Sequence, residues 1–232
     1  MPTTASPAEI RAEFDAMAPL MPDRLGPAEE WLLGQLPRGG GTALEVGCGI
    51  GTMARRLASS FERVIAIDFS PAMIAEAKRR APSIDFVCAD LFDWLRDRPD
   101  AYDCIVSIAT LHHVDLGDAL RAMARSLKPG GRLLVLDVMH RTNPIVNAAA
   151  LVAGFRLTGW KLRRAFWRHG RNERYLTIDE ATRTASAALP GARVREHLLW
   201  RYSIVWDRPA GYAVSIISAG MSKFDQTFCT SS

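Results

Sequence analysis

The stretch "ALEVGCGIGTMARRLA", residues 43–58, decides the fold of this chain. An apolar run that contains Glu45 comes first, and glycines follow at the alternate positions Gly47, Gly49 and Gly51. A helical pattern begins directly after the third glycine. The sequence therefore predicts a strand, a glycine-rich turn and a helix, the unit at which open α/β sheets bind nucleotide-like ligands.

The spacing of these glycines does not fit a dinucleotide site. The fingerprint G-x-G-x-x-G would place its third glycine at position 52, which is Thr52. Glu45 would repel a pyrophosphate, whereas it would attract a ligand that carries positive charge. Alternate glycines also allow the backbone to pass close beneath a ligand. Together these residues indicate a site for a cationic nucleoside.

Strands and helices continue to alternate beyond the turn. Nearly continuous apolar strands between helices indicate a parallel sheet that is covered on both faces. The pattern breaks after Met139 and restarts with a helix over 177–189, where Thr177 and Glu180 have capping-box spacing. Two strands with a short connection follow, which favours an antiparallel pair.

We therefore expect an α/β fold: a Rossmann-like, doubly wound sheet of seven strands, mostly parallel, with an antiparallel hairpin at its end. The predicted strands span 42–47, 63–70, 84–91, 102–111, 131–139, 192–199 and 202–209. The predicted helices between them span 51–60, 71–81 and 116–128, with a short helix or turn at 92–98.

The length of 232 residues suits a single domain, 1–232, with a full hydrophobic core. We expect five parts within it: a helical cap over 1–40, a ligand-binding core over 41–139, a basic and aromatic insert over 140–176, the final helix and strand pair over 177–208, and a tail over 209–232.

Composition narrows the class of protein. Hydrophobic residues make up 48% and charged residues 23%, as in soluble globular proteins. The N-terminus has no signal-peptide pattern, and the apolar runs are shorter than the roughly 18 residues that cross a bilayer. Four cysteines without paired metal spacing indicate reduced thiols and no metal site. These features predict a cytoplasmic protein.

Two more acids stand where strands end. Asp68 ends the second strand and could accept hydrogen bonds from both hydroxyls of a ribose. Asp90 follows the third strand and could accept from an adenine amino group. Each acid could instead cap a helix, Asp68 the one that begins at Pro71. Because acids follow three successive strands around one glycine turn, we prefer the binding site.

With these residues the sequence resembles the class I S-adenosylmethionine-dependent methyltransferases, in particular the small-molecule group of quinone-type and natural-product enzymes. The resemblance rests on "LEVGCGIG", "VIAIDFSPAMIAEAKRR", "FVCADLFDW", "YDCIVSIATLHHV" and "SLKPGGRLLVLDV", and covers roughly residues 28–138. It implies S-adenosylmethionine as cofactor and S-adenosylhomocysteine (SAH) as product.

The resemblance also implies residue roles. The glycine turn would hold the methionine part of S-adenosylmethionine, and Asp68 would hold its ribose. Other residues would contact the adenine or close the end of the pocket. The implied cofactor residues are Glu45, Gly47, Cys48, Gly49 and Gly51 in the turn, Asp68 at the ribose, Phe69 and Met73 beside the adenine, Asp90 and Leu91 at its edge, and Ser107 in the fourth strand.

The sulfonium methyl of this cofactor is already activated, so its transfer needs alignment more than a metal. A base that removes the acceptor's proton can assist, and two histidines, the side-chain type most often used for this role, follow the fourth strand as His112 and His113. In some sugar and natural-product enzymes of this family a histidine here works with an acid after the fifth strand, which here is Asp137. We prefer His112 as the base. The alternative is that the histidines only pack, since transfer to carbon can proceed without a base.

The insert carries the basic charge of the chain. Residues 145–175 hold seven Lys or Arg and one acid, so the rest of the chain has a net charge of −2. We prefer a lid over the acceptor. The alternatives are an amphipathic element on an anionic membrane surface, a nucleic-acid contact, and a solvated basic helix with its aromatic residues in the core. Nucleic acid is disfavoured because the fourth strand lacks the motifs of DNA-methylating enzymes.

The predicted function is methyl transfer to an O, N or C nucleophile of a small organic molecule, such as a natural product, a quinone or a sugar-like acceptor, by a monomer or homodimer. Two alternatives stay open. The first is a cofactor-binding protein that transfers no methyl group, and the second is a methyltransferase that acts on RNA or protein.

Overall fold

The computed structural model describes residues 7–140 and 175–212. The strands are β1 Thr42–Val46, β2 Arg63–Asp68, β3 Asp85–Cys88, β4 Tyr102–Ile108, β5 Leu127–Val138, β6 Arg193–His197 and β7 Arg201–Asp207. The helices are α1 Pro7–Met17, α2 Pro27–Leu33, α3 Thr52–Leu57, α4 Pro71–Arg80, α5 Leu91–Leu95, α6 Leu116–Ser126 and α7 Ile178–Ala188. Short 3₁₀ helices span Ala18–Leu20 and Leu111–His113.

The seven strands form one sheet in the order β3-β2-β1-β4-β5-β7-β6. The first five are parallel, and β7 runs antiparallel to both β5 and β6. The predicted sheet and its terminal hairpin are confirmed. Because the strand order reverses between β1 and β4, the crevice beyond their carboxyl ends is the expected place for a ligand.

Helices cover both faces of the sheet. On one face α5, α6 and α7 bury apolar side chains such as Leu95 and Leu120 against the strands. On the other face α2, α3 and α4 do the same with Leu32 and Leu57. This burial explains why the inner strands are mostly apolar. Among the helices of the described ranges, none combines the length and apolar character that a membrane span requires.

Several predicted boundaries differ from those of the structure. The helix expected over 116–128 ends at Ser126, and the Pro-Gly-Gly that was expected to precede the fifth strand lies inside β5. The register between β4 and β5 shifts after Tyr102, so the ladder takes up these residues as an irregularity. The fourth strand stops at Ile108 instead of 111, because Ala109 adopts a left-handed conformation with φ of 51°.

Candidate active site

The glycine turn joins β1 to α3 at the carboxyl edge of the sheet. All three glycines have positive φ, but their surroundings differ. A Cβ on Gly47 would lie 2.0 Å from Thr110 Oγ1, and one on Gly51 would lie 2.6 Å from the Phe86 ring. A Cβ on Gly49 would meet nothing within 4 Å. Packing within the protein therefore requires two of the glycines, and Gly49 is the one that faces open space.

Asp68 is bound to the glycine turn. One of its carboxylate oxygens accepts from Gly49 N at 2.8 Å, and the other accepts from Ser70 N at 2.9 Å. Burial raises the pKa of Asp68 to about 6, although both backbone donors oppose that rise. The suggested cap role is wrong, because Ser70 itself caps α4 through a bond from Met73 N.

Glu45 lies almost entirely out of water at 2% exposure, and its Oε2 has no hydrogen-bond partner within the described residues. Burial, followed by the charge of Asp68, raises the pKa of Glu45 to about 8. A buried carboxyl oxygen without a donor is costly, so this residue is prepared for a ligand that brings a donor or positive charge.

Asp90 caps α5, as the alternative interpretation proposed. Its Oδ1 accepts from Phe92 N and Asp93 N at 2.8 and 3.1 Å. Burial raises its pKa. Asp90 also lines the cavity described next, so the cap and a ligand contact are compatible.

A cavity of about 600 Å³, part of it open to solvent, lies beyond the ends of β1, β2 and β3. Its lining comprises Ile10, Val46, Gly47, Ile67, Asp68, Phe69, Ala89, Asp90, Leu91, Thr110, His113 and Val114. Six of these are predicted site residues.

The other predicted cofactor residues do not line this cavity. Cys48, Gly49 and Gly51 belong to the turn, and Glu45 is buried within β1 just before it. Met73 is buried in the first turn of α4. Ser107 is fully buried and donates to Val46 O at 3.1 Å, so its hydroxyl serves the sheet.

Thr110, Val114 and Ile10 were not predicted as site residues. Thr110 reaches the cavity because the left-handed Ala109 turns the chain back over Gly47. Ile10 reaches the cavity because α1 packs against α4, which lies far from it in the sequence. The apolar spacing of the N-terminal helix was visible in the sequence, but its docking position was not.

His112 and Asp137 form a buried pair. His112 Nδ1 lies 2.7 Å from Asp137 Oδ1, and the two side chains are 8% and 0% exposed. Because an ionised carboxylate can only accept, Nδ1 is the ring nitrogen that donates in this contact, and a neutral imidazole in this tautomer has its lone pair on Nε2. Burial and the charge of Asp137 raise the pKa of Tyr202, its neighbour on β7.

A row of rings links this pair to the cavity. The ring centroids of His112 and His113 are 4.0 Å apart. On one side Phe14 of α1 lies 5.4 Å from His113, and on the other Tyr175 lies 5.3 Å from His112. The predicted base therefore adjoins the predicted cofactor site.

The predicted insert begins and ends beside the pair. His140 N donates to Leu176 O at 2.9 Å, and Tyr175 contacts His112. The roles predicted for the insert, as a lid, a membrane contact or a nucleic-acid contact, concern mainly residues 141–174, which lie outside the described residues. The predicted tail lies outside them from residue 213 onward.

Comparisons with known proteins identify the family. A family model described as a methyltransferase domain matches residues 43–131. An uncharacterized methyltransferase of Mycobacterium tuberculosis is 31% identical over 183 residues, which are 75% of this chain and 90% of that protein. A demethylmenaquinone methyltransferase of Renibacterium salmoninarum is 34% identical over 148 residues, which are 59% of this chain and 61% of that one.

Solved structures share the fold. The complex of DhpI with SAH has a TM-score of 0.61 at 22% identity and covers 87% of this chain and 96% of that one. The [4+2]-cyclase SpnF has a TM-score of 0.64 at 17% identity and covers 90% and 98%. With the strand order, the glycine turn and the relatives in agreement, the chain belongs to the class I S-adenosylmethionine-dependent methyltransferases.

Proposed function

We propose that this methyltransferase acts on a hydroxyl group of a small organic molecule, with S-adenosylmethionine held in the cavity at the glycine turn and His112 as general base. The observation that carries this proposal is the 2.7 Å contact between His112 Nδ1 and buried Asp137. An N or C nucleophile remains compatible with the family. An oriented imidazole is most useful where a proton must leave an oxygen.

The residues present fit the cofactor. Glu45 offers an unpartnered carboxyl oxygen for its positive charge, and Gly49 leaves room above the turn. Asp68 would accept from the ribose, and Phe69, Asp90 and Leu91 would contact the adenine. When bound, the cofactor would supply a methyl group that is activated by a cationic sulfur. An aligned nucleophile would attack the methyl carbon in line, with SAH as the leaving group.

Two residues of this chain would then remove the proton of the acceptor's hydroxyl group. Asp137 fixes the imidazole tautomer and stabilises the imidazolium that forms when His112 accepts the acceptor's proton at Nε2. His113 and Tyr175 would flank the acceptor as ring walls. The names of the relatives support an acceptor of the quinone type, since one acts on demethylmenaquinone and another is a ubiquinone biosynthesis O-methyltransferase from Xanthomonas.

Binding and transfer are tested separately. Calorimetry should show binding of SAH to the wild type and at least tenfold weaker binding to Asp68→Ala, because two ribose hydrogen bonds are lost. Equal binding by both proteins would show that the cofactor site is misplaced.

For transfer, a panel of quinone-type phenols, other hydroxylated natural products and sugar-like alcohols is incubated with S-adenosylmethionine, and the formation of SAH is measured. His112→Asn should lower kcat by about 10²–10⁴ while SAH affinity is kept. His113→Asn serves as the matched variant and should cost less. An unchanged kcat in His112→Asn would exclude the base.

A second candidate is chemistry without methyl transfer, which the structural likeness to the [4+2]-cyclase SpnF favours. It predicts that an acceptor is converted while no SAH forms. Formation of SAH in proportion to product would exclude it.

A further inference from the structure

Helix α1 lies across the cavity. Ile10 lines the cavity, and Phe14 lies 5.5 Å from the Phe69 ring. One turn later, Met17 packs against Ile50 of the glycine turn and Met73 of α4. Helix α1 therefore contributes Ile10 to the cavity lining, and its Phe14 contacts both Phe69 and His113.

Asp15 fastens α1 to α4. Its Oδ1 accepts from Ser70 Oγ at 2.5 Å and from Ala72 N at 3.3 Å. In the first turn of α4, Pro71 has no N–H and Met73 N already donates to Ser70 Oγ at 3.1 Å. Asp15 thus completes the cap of α4 from another helix, and its charge faces the positive end of the α4 dipole.

Ser70 connects this contact to the cofactor site. Its hydroxyl donates to Asp15, and its backbone N–H donates to Asp68. The charge of Asp15 also helps to raise the pKa of Asp68. Ser70 therefore donates a hydrogen bond both to Asp68, which we assign to the ribose, and to Asp15, which holds α1.

We propose that Asp15 is a positioning residue that holds α1 closed over the bound cofactor, so that release of SAH requires the Asp15–Ser70 contact to break. This inference rests on the proposed function, because it takes the cavity as the cofactor site. A charge-assisted hydrogen bond of this kind corresponds to roughly tenfold or more in an equilibrium constant.

The test is Asp15→Ala in the full chain. Alanine is a better helix former than aspartate, so the substitution removes the contact without weakening α1 itself. We expect SAH to dissociate about tenfold faster in stopped-flow measurements, and KM for S-adenosylmethionine to rise while kcat is retained. Glu62→Ala, which removes an exposed carboxylate just before β2, at the opposite edge of the sheet from the cavity, should dissociate SAH at the wild-type rate.

Hydrogen exchange provides a second measurement. In the wild type the amides of α1 should gain protection when SAH binds, and in Asp15→Ala they should gain little while β1 and β4 remain protected. The same dissociation rate in Asp15→Ala and the wild type, an equal acceleration by Glu62→Ala, or the same gain of protection in Asp15→Ala would overturn the proposal. A wild type that binds no SAH would instead contradict the proposed function.

Discussion

Folding removes the carboxyl group of Glu45 from water, which makes its ionised form less favourable. Its pKa of about 8 has burial as the main cause, with the charge of Asp68 second. Between the ordinary value of 4.5 and about 8, the folded state therefore binds a proton that the unfolded state has released. The free energy of unfolding must fall as pH rises through this window. A cationic ligand would reverse the balance, because it favours the ionised form.

Replacing Glu45 with glutamine separates these two effects. Without a ligand, Glu45→Gln should equal the wild type in stability near pH 5 and exceed it by about 1 kcal/mol or more at pH 9. Its affinity for S-adenosylmethionine should be lower and should no longer rise between pH 6 and 8. Thermal unfolding and calorimetry across pH measure both, with exposed Glu62→Gln as control. A variant that is less stable than the wild type at pH 9 would contradict the assigned ionisation.

The glycines of the turn divide into two kinds, which alanine substitutions should distinguish. Gly51→Ala places a Cβ 2.6 Å from the Phe86 ring at φ of +78°, so we expect a loss of roughly 2–4 kcal/mol from overpacking and a strained backbone. Gly49→Ala meets no neighbour and should lose about 1 kcal/mol from its φ of +51°. SAH binding should fall more in Gly49→Ala. Equal unfolding free energies for the two variants would refute this division.

At the scale of elements, the hairpin between β6 and β7 carries visible strain. Its loop holds Leu199 and Trp200 in the left-handed conformation, with φ of 58° and 57°. Such values are unfavourable for large side chains, and asparagine or glycine is usual there. Leu198 and Leu199 are also 81% and 38% exposed, so little burial offsets the strain.

Leu199→Asn should therefore stabilise the protein. We expect a gain of about 0.5–1 kcal/mol, seen as a rise in Tm of roughly 2 °C. Leu198→Asn changes the same chemistry at the neighbouring position and should leave Tm nearly unchanged. A fall in Tm for Leu199→Asn would mean that the side chain is held by contacts that outweigh its backbone strain.

Elements also show why prediction succeeded in part. The strands and the position of Asp68 at the carboxyl edge of the sheet could be predicted, because apolar periodicity and the carboxyl-edge rule depend on local sequence. Thr110 and Ile10 could not, because Thr110 reaches the cavity through the left-handed Ala109, and Ile10 through docking of α1 by Asp15. Such placements depend on contacts between residues far apart in the chain. The role of Ser107 in the sheet depends on the same kind of contact, 61 residues away.

At the scale of the whole molecule, the chain segments that follow β5 and precede α7 meet beside the His112–Asp137 pair. His140 N donates to Leu176 O, and Met139 N donates to Trp200 O, each at 2.9 Å. The chain therefore leaves the sheet after β5 and returns to the same point before α7. A short linker can close this gap without disturbing the sheet, since the two ends are already in contact.

Replacing 141–174 with a Gly-Ser linker of about four residues should therefore leave a protein that folds and binds SAH with nearly wild-type affinity. If the insert encloses the acceptor, methyl transfer should fall by at least about a hundredfold, because alignment of the nucleophile is lost. His112→Asn in the full chain is the matched control, which loses transfer with the insert present. Wild-type transfer by the linker variant would exclude 141–174 from the acceptor site, and failure to fold would place these residues in the core.

The linker variant also lacks the basic segment. If the insert contacts membranes, vesicles of anionic lipid should therefore sediment the wild type and leave the linker variant in solution.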